Sequence, residues 1–122
     1  MSESILNNLY PEKALENISF LEETCRQINK DLTGFSSLKV ELTEQLLEAP
    51  LQELINQCKP ILNDLEASNN LQPFIYKVDL SEKKYISYKV NHQSKQKFAE
   101  SIIERCAQKV YLRWYFSNRL NR

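Results

Sequence analysis

Apolar positions recur every three or four residues over most of this chain, and that spacing predicts helices. From Ile18 the series runs Ile18, Leu21, Cys25, Ile28, Leu32, Phe35, the seam of one helix lying along another. Pro11 suits a first turn, Glu12 and Glu16 suit the positive end of the helix, and Gly34 suits its stop. The predicted first helix therefore covers residues 11 to 33. A second seam runs Leu47, Leu51, Leu54, Cys58, Ile61, Leu65, widened by Leu46, Ile55 and Leu62 into a face that must be buried. Pro50 and Pro60 fall inside it. Each removes an amide donor and crowds the preceding turn, so two shorter helices or one kinked helix are expected.

Other stretches carry a different period. Leu38-Lys39-Val40-Glu41-Leu42 alternates like a strand, yet after a Ser36 or Ser37 cap the same residues make opening helical turns, and helix is the expectation. Ala67 to Asn70 reads as a loop. Beyond Pro73, Phe74, Tyr76, Val78 and Leu80 alternate with Ile75, Lys77 and Asp79, and the block 85–90 is β-branched and aromatic. These features predict a β-hairpin turning at residues 81–84. Ser94 then suits the cap of a last helix running from about Lys95 to Ser117.

The predicted fold class is thus α+β, predominantly helical, in a single domain over residues 1–122. An N-terminal arm (1–10) precedes an antiparallel helical hairpin with a kinked second arm (11–67), and a β-hairpin leads into a basic aromatic helix (73–122). No apolar run is long enough for a membrane span, and the first residues lack the basic and apolar regions of a secretory signal. A cytoplasmic protein is expected, or a nuclear one if the source is eukaryotic.

Composition removes most catalytic chemistries. A chain of 122 residues with one Gly has no glycine-rich phosphate loop, and its single His, His92, builds no histidine metal cluster. Cys25, Cys58 and Cys106 are odd in number and tens of residues apart, which excludes a disulfide framework and a CxxC pair. All three lie on apolar stripes and read as core residues. The carboxylate pairs Glu12/Glu16 and Glu44/Glu48 mark an acidic face, since the Glu-x-x-His pattern of helical dimetal sites is missing. The expectation is a non-enzymatic chain without cofactor or metal.

Charge carries the strongest functional signal. Residues 1–76 hold 5 Lys+Arg against 12 Asp+Glu, net −7, whereas residues 77–122 hold 11 against 4, net +7. Either the basic C-terminal helix docks beside the acidic helices, or its basic face meets a partner. On that helix Phe98, Ala99, Ile102, Ile103, Cys106, Ala107, Val110 and Trp114 share one half-circle, the predicted core face. Arg105, Lys109 and Arg113 form a stripe along its border and find no acid three or four positions away on the same helix. Their counter-charges must come from elsewhere in the fold, from a partner or from solvent. The helix ends in Tyr111-Leu112-Arg113-Trp114-Tyr115-Phe116, where bulky groups point in every direction. Aromatic residues with Arg make protein-binding hot spots and also platforms for single-stranded nucleic acid. The expected function is a protein–protein interaction module, an adaptor or assembly subunit that binds another protein or a second copy of itself. Its candidate partner-binding residues are Arg105, Lys109, Tyr111, Arg113, Trp114 and Tyr115. The alternative is a nucleic-acid-binding module using the same helix, against which the neutral total and the pI of 6.6 count.

Overall fold

The computed structural model describes residues 15–117. The candidate arm, Pro11 and the start of the predicted first helix lie outside the described residues, as does the end of the chain. Among the described residues six helices follow in order: α1 (Ile18–Leu32), α2 (Glu44–Glu48), α3 (Pro50–Ala67), α4 (Leu71–Val78), α5 (Glu82–Lys89) and α6 (Lys95–Phe116). None of the described helices is long and apolar enough to cross a membrane.

The predicted β-hairpin is corrected: residues 71–89 form α4 and α5, and there is no strand among the described residues. Leu71, Phe74, Ile75 and Val78 follow the i, i+3, i+4, i+7 spacing of a helix face, and all four are buried. The two-residue alternation counted Tyr76 as an inward residue, but it is 78% exposed. Asp79 ends α4 in the left-handed region at φ 65°, and Leu80 N–H donates back to the Ile75 carbonyl at 3.2 Å. Ser81, read as part of a hairpin turn, instead caps α5, its Oγ accepting from Lys84 N–H at 3.3 Å.

Residues 38–42 are neither helix nor strand. They form a strap in which the backbone groups of Val40 and Glu41 are satisfied by two side-chain amides, one from α1 and one from α3. Val40 N–H donates to Asn29 Oδ1 at 2.9 Å while Asn29 Nδ2 donates to the Val40 carbonyl at 3.0 Å. On the opposite edge, Glu41 N–H donates to Gln57 Oε1 at 2.7 Å and Gln57 Nε2 donates to the Glu41 carbonyl at 3.0 Å. Each amide mimics a neighbouring strand's peptide group, so an isolated extended segment escapes the cost of unpaired backbone. Val40 anchors the strap in the core.

The strap also sets the helix directions. Ser36 Oγ donates to Asp64 Oδ2 at 2.7 Å and Gln57 holds Glu41, so the strap runs antiparallel to α3, as it does to α1, from which it folds back. The helix antiparallel to α1 is α6, with Phe20 against Trp114 at one end and Asp31 against Lys109 at the other. Both leucine-rich seams close mainly on α6. The kink expected in the second arm is a break at Ala49, where backbone angles of φ −140° and ψ 74° separate α2 from α3 and Pro50 takes the first position of α3. Pro60 stays inside α3. Its face is exposed, which leaves the unpaired carbonyl one turn earlier open to water. At the ends of the two seams, Ile18 and Leu47 are exposed, while the residues between them on α1 and α3 form one core with α4 and α6.

Candidate functional site

Ser94 caps α6 by accepting from Lys97 N–H at 3.1 Å, and every residue of the predicted core face of this helix is buried. The basic stripe beside that face finds its counter-charges on other helices. Arg105 Nη2 meets Asp79 Oδ2 at 2.8 Å and its Nε donates to the Asp79 carbonyl at 3.0 Å, clamping the end of α4. Lys109 Nζ meets Asp31 Oδ2 at 2.8 Å and donates to the Lys77 carbonyl at 3.2 Å. Arg113 donates to Gln27 Oε1 at 2.6 Å and lies 3.8 Å from Glu23. Gln27 in turn donates to Asp31 Oδ1 at 3.1 Å, so Glu23, Arg113, Gln27, Asp31 and Lys109 form one polar string between α1 and α6. Glu44 and Glu48 take no part in it.

This pairing decides what the six candidate residues present to the outside. Tyr111 and Trp114 are buried, Trp114 meeting Phe20 edge-on at 5.3 Å. Arg105 and Lys109 are partly covered and engaged. Arg113 and Tyr115 remain exposed, together with Phe116, which the candidate set left out and which is 77% exposed. Tyr115 and Phe116 meet edge-on at 5.3 Å. Beside them lies an open hollow of about 550 Å³ lined by Glu23, Leu112, Arg113, Trp114, Phe116 and Ser117. Phe116 falls in the run of bulky residues that the sequence singled out, so the signal for it was present.

Two further surfaces had no sequence signal, because both depend on the helical form of residues 71–89. A cleft of about 350 Å³ opens between α4 and α5, with Ile75, Leu80 and Tyr85 inside and Tyr76 and Ile86 on its rim. Behind α5, Glu66 gathers three side chains from α5 and α6: Tyr88 Oη donates to it at 3.0 Å, Lys95 Nζ at 3.2 Å, and Lys89 lies 3.7 Å away. Burial raises the Glu66 carboxyl, but the hydrogen bonds from Tyr88 and Lys95 and the two lysine charges outweigh it and hold the group below its ordinary range. Tyr88 also stacks on Phe98 with ring centres 4.2 Å apart.

The three cysteines are buried and free. Burial, with the Glu22 charge adding and Arg26 opposing, pushes the Cys25 thiol up to about 11, and burial pushes Cys58 up to about 12. Cys106, whose thiol lies 3.8 Å from Asp31, is also raised by burial first and by that carboxylate second. All three should react slowly with a thiol reagent in the native protein near neutral pH and readily after unfolding. Below pH ~9 the thiols are neutral in both states; as pH rises further the unfolded chain ionises first, so stability falls towards pH 11 to 12. One thiol labelling within the mixing time near pH 7, and slowed by His92→Ala, would restore a catalytic cysteine to consideration. His92 itself is exposed, with φ 57°. No family of known proteins, no curated protein and no solved structure matches this chain.

Proposed function

We propose that this chain is a non-enzymatic protein-binding module, a small adaptor or assembly subunit, which docks its partner on the last turn of α6. One observation carries this reading: Phe116, 77% exposed, and the exposed Arg113 line a mostly apolar hollow, and the exposed Tyr115 meets Phe116 edge-on beside it. Large aromatic side chains left in water forgo the burial that stabilises the rest of the helix, and an aromatic pair beside an arginine is the usual composition of a binding hot spot. The nucleic-acid reading has less support, because Arg105 and Lys109 already face Asp79 and Asp31. A reducing cytoplasm suits a chain with three separate thiols.

Phe116→Ala and Tyr115→Ser should abolish co-purification of the partner from the native cell while shifting stability by no more than about 0.5 kcal/mol, as for other exposed positions. Tyr76→Ala, at the opposite cleft, should leave the partner bound. Equal retention by all three variants would remove the α6 end as the docking site. Salt-sensitive oligonucleotide binding by the wild type would replace this function with nucleic-acid binding.

A further inference from the structure

Every other described helix buries at least one side chain, whereas α5 buries none. Ile86 on it and Val90 just after it are exposed. Its hold on the core comes through Tyr85 and Tyr88, both partly buried. Tyr88 holds in two ways: its ring stacks on Phe98, with centres 4.2 Å apart, and its Oη donates to Glu66 at 3.0 Å. An eight-residue helix is too short to persist alone in water, so α5 is a helix only while it is docked. The chain is pinned to α6 on either side of it. Before α5, Asp79 sits at φ 65°, and Arg105 holds its carboxylate at 2.8 Å and its carbonyl at 3.0 Å. After α5, His92 sits at φ 57°, and Ser94 caps α6. Two left-handed residues thus bracket the helix, each beside an anchor on α6.

We propose that residues 81–93 are a flap, which opens between these two anchors while the remaining helices stay packed, and that the Tyr88 hydrogen bond to Glu66 is its latch. The polar balance permits release. When Tyr88 and Lys89 leave, Glu66 keeps Lys95, the first residue of α6, which Asn63 also holds, so no charge is stranded. The phenol and the ammonium of the departing residues pass into water. Opening uncovers apolar surface: Phe98, fully buried beneath Tyr88, and the Ile75 and Leu80 wall of the cleft that α5 closes on one side. Few apolar contacts cross this seam, so opening it costs less than unfolding the domain. The flap therefore covers an aromatic floor that only the open state presents, about 27 Å along α6 from Phe116 and independent of the docking turn there.

Amide hydrogen exchange of the whole chain, read residue by residue where reclosing outruns exchange, tests this. In the wild type the amides of residues 85–90 should share one level of protection and exchange at least about tenfold faster than those inside α1, α3 and α6. Low urea should leave their rates nearly unchanged while the other helices respond steeply, because a local opening exposes little surface. Tyr88→Phe keeps the ring stack and removes the latch, so it should speed α5 exchange roughly tenfold, as for a hydrogen bond to a charged group, with the other helices unaffected. Glu66→Gln should show the same selectivity for α5. Equal rates and equal urea responses in α5 and α6 would overturn the inference, because the helices would then open only together. A gradient of protection from one end of α5 to the other would also overturn it, as fraying in place of a flap. So would a Tyr88→Phe protein in which α5 keeps its wild-type rates or every helix speeds up alike. If a variant does not fold, the wild-type urea series decides between flap and single unit by itself.

Discussion

Lys109→Met should destabilise the protein by about 3–5 kcal/mol, although the new side chain matches the old one in length and apolar stem. The cost arises at its partner. Asp31 is 2% exposed, and Lys109 is the cation that meets it, at 2.8 Å. Without Lys109 the carboxylate keeps one amide hydrogen bond from Gln27 and the weak thiol donor of Cys106, which do not compensate a buried charge. The Lys77 carbonyl at the end of α4 also loses a donor. Removing both charges, as Asp31→Leu with Lys109→Met, should recover most of the loss, because a well-packed apolar pair of similar volume often equals a buried ion pair. Urea unfolding of the two single variants and the double variant measures the coupling. A Lys109→Met cost below about 1 kcal/mol would mean that water reaches Asp31 and that the string between α1 and α6 is a surface feature.

Leu54→Asp should leave no folded protein at room temperature. Leu54 is wholly buried on α3 within the core shared with α1, α4 and α6. An unpaired carboxylate there adds a desolvation penalty to the lost apolar burial, and their sum approaches the roughly 5–15 kcal/mol that holds a domain of this size together. Leu47→Asp, one position from the same heptad series, is the control. Its half-exposed side chain should make that substitution nearly neutral in thermal stability. A folded Leu54→Asp protein with an unchanged melting transition would show that the seam is not core.

The contrast between Leu47 and Leu54 marks how far periodicity carries. A three-four spacing identifies a helix and the face it will bury, but it does not say where along the helix a neighbour stops. Ile18 and Leu47 continue their patterns past the ends of the elements that cover the rest. The same limit applies at residues 71–89. Leu71, Phe74, Ile75 and Val78 satisfy a helical face while Phe74, Tyr76, Val78 and Leu80 satisfy a strand, and only packing against α1, α3 and α6 chooses the first set. At 38–42 the two local alternatives were helix and strand, and the outcome was neither. Asn29 and Gln57, remote in sequence, supply the backbone partners that a second strand would have supplied.

α6 was legible almost completely, because its cap, core face and length depend on residues that lie within it: Ser94, the series from Phe98 to Trp114, and Ser117. The lack of a helix-internal acid for Arg105, Lys109 and Arg113 was legible for the same reason. Which acids answer them was not, since Asp79, Asp31 and Glu23 become neighbours only when α1 lies antiparallel to α6 and α4 crosses beside them. The division of charge along the chain was likewise plain in the sequence. Which of these charges meet was decided by the tertiary structure, because the distance between charges depends on the path of the chain and not on their order along it.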